Sequence, residues 1–245
     1  DFMVYLNCPR CLWIKKNQPE SIPELSDYDQ FIADQGYEVE ALAQELFQGE
    51  GVDFQFTIEK DRLFARADVI EKNEDGSLHL YEIKSAGRLE SPKMRQFSYD
   101  LAFQKYVFER AGYEIASTKV VTPNPDYRRP NAKDVNLKDF FLITDLSAEV
   151  DALDLKLDIE NALEAMSKES KSLVPTNCTL NTTLCAEECK EQLPEFSIYK
   201  LLSRSIGKVH ELEDLGIYEV HDIHHDFVLT DKQQIHYLAC TQENP

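Results

Sequence analysis

Residues 65–87 read ARADVIEKNEDGSLHLYEIKSAG. Two apolar runs flank Lys72-Asn73-Glu74-Asp75-Gly76-Ser77, and Asp-Gly between such runs signals a tight hairpin turn. Side chains alternate faces along a strand. Glu82 and Lys84 therefore share one face, and Ile83 points the other way, into the core. With the turn centred near residue 75, partner numbers sum to about 150, which sets Asp68 opposite Glu82 within a residue or two. Two carboxylates and a lysine are thus expected at one strand edge.

Outward from this hairpin, residues 52–58 give a further strand and 27–48 a helix. In that helix Phe31, Ile32, Val39, Leu42, Ala43 and Leu46 recur at helical spacing, and Gly49 and Gly51 stop it. Pro92 opens a long helix that runs to Ala111 and stops at Gly112. Strands are expected at 115–122 and 140–144. The order helix, three strands, helix, strand defines a mixed α/β core. Residues 1–16 read as a helix or turn rich in cysteine and aromatics, and 147–168 as an exposed amphipathic helix. A cysteine-bearing loop follows at 177–190, and the last 50 residues form a small helical unit. The expected domains are 1–192 and 193–245.

The 245 residues hold 45 acids against 26 Lys and Arg, a net charge of −19. Bulk charge therefore does not hold this chain to nucleic acid, although a local basic groove is compatible with it. Residues 84–110 reverse the balance with six bases (Lys84, Arg88, Lys93, Arg95, Lys105, Arg110) against three acids. Such local inversion suits a phosphate-tracking groove, and equally a solvated helix face. No apolar run is long enough for a membrane helix and no leader pattern opens the chain, so a cytoplasmic protein is expected. Six cysteines are too few for a disulfide scaffold. A metal site or scattered thiols is the better default.

Asp68, Glu82 and Lys84 together suit phosphodiester hydrolysis. Hard carboxylate oxygens hold Mg²⁺ or Mn²⁺. Such an ion neutralises phosphate and acidifies water, while a lysine orients that water or steadies the developing charge. The bland reading of Glu-x-Lys on a strand is an exposed cross-strand charge pattern. Asp68 followed by Glu82-Ile83-Lys84 in a helix–hairpin–helix setting resembles the PD-(D/E)XK nuclease superfamily, and its RecB-like exonuclease branch more closely. The resemblance implies a restriction-endonuclease-like α/β core with a mixed central sheet flanked by helices. It implies that Glu40, four residues after Gly36, joins Asp68, Glu82 and the Ile83 carbonyl as metal ligands. Lys84 would act on the attacking water. Gln104, in the row Gln96, Asp100, Gln104, Phe108, would position DNA, with Phe108 standing where the branch carries Tyr.

Cys178, Cys185 and Cys189 are spaced C-x6-C-x3-C, which suits zinc or an iron–sulfur cluster. A fourth ligand must come from elsewhere. Tyr5-Leu6-Asn7-Cys8-Pro9-Arg10 with Trp13 resembles the N-terminal motif of RecB-like nucleases of the CRISPR-adaptation and AddB types. That resemblance implies a structural 4Fe–4S cluster held by Cys8, Cys178, Cys185 and Cys189, with zinc as the alternative. Cys11 is the rival to Cys8, and Cys240 reads as a buried thiol. A cross-link over about 170 residues removes much unfolded-state entropy.

Ile206-Gly207-Lys208 and Leu215-Gly216-Ile217 look like a degenerate helix-hairpin-helix, whose turn offers N–H groups to a DNA phosphate. Against that, residues 211–231 hold seven acids and no Lys or Arg, so a packing or linker role is at least as well supported. His221, His224 and His225 read as exposed turn residues. The domain order resembles a bacterial family of unknown function in which an RNase-H-like exonuclease domain follows directly. The expected function is a Mg²⁺- or Mn²⁺-dependent deoxyribonuclease, an exonuclease acting on single-stranded or free DNA ends. The alternative is a non-catalytic nucleic-acid-binding or assembly module that keeps the fold and cluster.

Overall fold

A computed structural model of the chain describes residues 1–85, 91–129, 135–167, 193–202 and 205–242. It divides into two compact units, residues 25–157 and a discontinuous unit of residues 1–24 with 158–245.

The unit at 25–157 carries a five-stranded mixed sheet flanked by helices, in the order β1-β2-β3-β4-β5. Its strands are β1 (Val52–Lys60), β2 (Leu63–Lys72), β3 (Leu78–Ile83), β4 (Ile115–Pro123) and β5 (Phe141–Asp145). β1, β2 and β3 form an antiparallel meander. β3 and β4 are parallel, and β4 and β5 are antiparallel. The β2–β3 turn forms as its residues dictate. Gly76 adopts φ 89°, and the Asp75 carboxylate accepts the Ser77 N–H at 2.9 Å. Val69 pairs with Tyr81, so Asp68 and Glu82 lie one residue beyond that pair, as the turn position predicts.

The parallel pair needs a long crossover, which the helix Ser91–Arg110 supplies. Its end is a Schellman cap. Gly112 at φ 97° donates its N–H to the Glu109 carbonyl, and the Tyr113 N–H reaches the Phe108 carbonyl at 3.1 Å. The Phe108 and Tyr113 rings, 5.9 Å apart, make the apolar contact that accompanies this cap. On the other side stands the helix Asp27–Gln44, capped by Ser26, whose hydroxyl accepts the Asp29 N–H and donates to the Asp29 carboxylate. It ends at Gln44 rather than 48. Leu46 and Phe47 tighten to i→i−3 bonds that satisfy the last carbonyls. Ala43, Val39 and Leu42 pack with Val69, Tyr81, Ile83 and Val121 in one core. Odd residues of β3 thus face this helix. Even residue Glu82 faces the long crossover helix, through Gln104.

Residues 147–168 do not form one helix. Ser147–Asp151 and Lys156–Ser167 are separate, because the Asp154 carboxylate accepts the Lys156 N–H and starts the second.

In the other unit, helices Phe2–Asn7 and Pro9–Asn17 break at extended Cys8, with Pro9 at the first helical position. Cys8, Cys11 and Ile14 share a core with Ile198, Tyr199, Leu202, Val209 and Leu212. Gly207 lies in the first turn of the helix Ile206–Asp214. Gly216 at φ 74° closes that helix, the Ile217 N–H reaching the Leu212 carbonyl. Gly216 therefore serves a helix cap. Among the described residues no helix is long and apolar enough to cross a membrane.

Candidate functional site

The meander and the two flanking helices bring five of the predicted residues, Glu40, Asp68, Glu82, Lys84 and Gln104, into one connected polar network. Asp68 leaves β2 at the point where β3 ends. Its Oδ2 accepts the Ile83 N–H at 2.7 Å, which ties it to the backbone between Glu82 and Lys84. Its Oδ1 accepts Gln55 Nε2 at 3.1 Å, and the same nitrogen donates to Glu40 Oε1. Gln44, one turn on from Glu40, donates to that oxygen as well, at 3.2 Å. Burial raises the Glu40 carboxyl above its ordinary range, and the Asp68 charge raises it further. Asp68 is also raised by burial, against the lowering effect of the Ile83 N–H and the Gln55 amide.

Glu82 stands on the other side of this anchor. Its side chain accepts Lys84 Nζ at 2.6 Å on one oxygen and Gln104 Nε2 at 2.6 Å on the other. Burial is the main cause of its raised pKa, about 7. The charges of Asp68 and Asp100 add to it, and Lys84 opposes it. Lys84 Nζ also donates to Asp100 Oδ2 at 2.8 Å and lies 5.6 Å from the Phe97 ring centre. Burial alone would lower the Lys84 ammonium, but Glu82 and Asp100 together hold it above its ordinary value. Gln104 is 5% exposed, and its Oε1 has no hydrogen-bond partner among the described residues.

The three predicted carboxylates do not close on one point. Glu40 and Asp68 are bridged by Gln55, while Glu82 is turned to Lys84 and Gln104. Among the described residues, the group of three such donors whose ligand atoms all lie within 4.8 Å is His224, His225 and Asp226. Those three are consecutive and exposed; His224 and His225 lie at a turn as expected, while His221, also exposed, lies in the short 3-10 helix Val220–Asp222. The Ile83 side chain is in the core, and its residue is the last of β3. Two contributors were missed. Asp100 sits in the same four-spaced row as Gln104, a signal that was available. Gln55 carried none.

Phe108 is fully buried against Phe56 and Tyr113, so that position belongs to the core. Three of the six bases of 84–110 are paired with acids. Lys84 pairs with Glu82 and Asp100, Lys105 with Asp151, and Arg110 with Asp61. Lys93 and Arg95, exposed near the start of that helix, form no ion pair among the described residues. Arg88 lies outside the described residues.

Cys8 and Cys11 are both buried, and Cys11 is disulfide-bonded. Cys178, Cys185 and Cys189 lie outside the described residues. Cys240 is half-buried and packs at the edge of the core that holds Cys8.

No family model matches the chain, and no curated protein does. A solved structure described as the crystal structure of SSO0001 is similar at a TM-score of 0.47 and 14% identity, over 79% of this chain and 86% of that one.

Proposed function

We propose that the unit at 25–157 is a PD-(D/E)XK-type nuclease core that hydrolyses DNA phosphodiester bonds with Mg²⁺ or Mn²⁺. The observation that carries this reading is the Asp68–Ile83 bond. It fixes one carboxylate against the strand end that presents Glu82 and Lys84. The donor set suits a hard cation. Glu40, Asp68 and Glu82 offer carboxylate oxygens, and all three are raised in pKa by burial that their neighbours do not offset. Such a cation would neutralise phosphate charge and make water acidic enough to attack phosphorus.

The chain's own residues set the geometry. Asp68 is held by the β3 backbone. Glu82 is held by Gln104, whose buried side chain acts through that carboxylate. Asp100 accepts from Lys84 independently of Glu82, so the ammonium would stay paired and charged were Glu82 to hold the cation. Lys93 and Arg95 supply charge for the DNA strand.

The same reading assigns Cys8 to a cluster site with Cys178, Cys185 and Cys189. Its burial in a core shared with Ile198, Tyr199 and Leu202, from the C-terminal part of the chain, supports it. The cluster would be 4Fe–4S, with zinc as the alternative, and its role structural. Single-stranded or free DNA ends are the proposed substrate.

Two measurements test this. End-labelled single- and double-stranded DNA should be shortened in Mn²⁺ and left intact in EDTA. Protein purified without oxygen should contain iron and sulfide. Stable DNA binding without cleavage in any metal would replace the enzyme with a binding or assembly module.

A further inference from the structure

Gln55 is in an unusual position. It sits in the middle of β1 with φ 50°, a left-handed backbone that a residue with a side chain adopts at a cost. The β1–β2 ladder is regular on both sides, with Phe54 opposite Val69 and Phe56 opposite Ala67. Gln55 and Asp68, which this register sets opposite each other, drop out of the pairing. The Gln55 side chain reaches both carboxylates. Its single Nε2 is shared between Glu40 Oε1 and Asp68 Oδ1. One amide nitrogen thereby takes the point between two acids of the proposed metal site. A divalent cation bridging those acids needs that same point, since its bonds to oxygen are near 2.0–2.6 Å. An N–H donor and a cation cannot share it.

We propose that Gln55 is a built-in competitor for the cation: its amide holds Glu40 and Asp68 together until a divalent ion displaces it. This rests on the nuclease reading only in taking Glu40 and Asp68 as cation ligands. The left-handed backbone puts the amide there, and leaving breaks two hydrogen bonds to carboxylates. The cation must therefore offset their loss before it gains its own. Gln55 would set the site's affinity low, so that the ion stays bound only with the phosphate of a substrate to complete its shell.

The test is Mn²⁺ binding to the full chain by titration calorimetry, without DNA. Wild type is compared with Gln55→Ala, Gln55→Gly and Asp68→Ala. Glycine suits φ 50°, so Gln55→Gly keeps the fold should Gln55→Ala not. Both Gln55 variants are expected to bind Mn²⁺ about tenfold tighter or more, as removing a hydrogen bond to a charged group before binding implies. Binding in the Gln55 variants but not in wild type would also support the proposal. Equal or weaker binding in the Gln55 variants, with wild-type binding lost in Asp68→Ala, overturns the proposal and leaves the metal site standing. No Asp68-dependent binding in any protein overturns both.

Discussion

Asp68 Oδ2 accepts the Ile83 N–H at 2.7 Å, so one side chain spans from β2 to the backbone between Glu82 and Lys84, at the end of β3. The bond sets where the first carboxylate stands relative to the next two functional groups. Asp68→Asn keeps an oxygen acceptor there and Asp68→Ala does not. Denaturant unfolding should find the alanine variant less stable than the asparagine variant by roughly 1–3 kcal/mol, the cost of orphaning a buried N–H.

Glu82 gives a pH signature. Its folded pKa is raised from 4.5 to about 7, chiefly by burial. Between those values the folded state holds more protons than the unfolded one, so Glu82 makes stability fall as pH rises across that window. The fall ends above about pH 7. Thermal unfolding from pH 4 to 8 should show this decline in wild type, and Glu82→Gln should flatten it. Mn²⁺ binding should weaken as pH drops through the same range, because protons compete for the carboxylate.

Gln104 moves that window. It donates to Glu82 Oε2 and so favours the charged form. In Gln104→Leu the oxygen loses its donor, and the decline should shift to higher pH. An unchanged profile would mean that this bond does not govern Glu82.

Phe108 is a core residue of the crossover helix. Its ring is fully buried and caps the crossover helix with Tyr113. Phe108→Ala should destabilise the protein by about 3 to 5 kcal/mol in chemical denaturation. Phe108→Tyr should also destabilise, since it buries a hydroxyl in an apolar site.

The hairpin and its consequences were legible because they depend on local chemistry. Asp75-Gly76 fixes the turn, the turn fixes the register, and the register brings Asp68 to Glu82. Four-residue spacing set Gln104 in a row with Gln96, Asp100 and Phe108, and the resemblance singled it out within that row. Gln55 was not legible, because its role comes from a left-handed backbone that its residue type does not favour. Asp100 shares the four-residue row of Gln104, which puts it on that helix face, but nothing local says that it reaches Lys84. The break at Asp154 was hidden by apolar spacing that continues through it, with the capping carboxylate as the missed signal. The joining of residues 1–24 with 158–245 is a long-range packing result that no window of sequence displays.

Asp68 is proposed to work as a charged ligand in DNA cleavage. The most direct test of this is the rate at which Asp68→Asn cleaves end-labelled single-stranded DNA in Mn²⁺, beside wild type. The expected result is a folded variant, with the Ile83 acceptor kept, whose cleavage is lost. Cleavage at the wild-type rate by Asp68→Asn would contradict it.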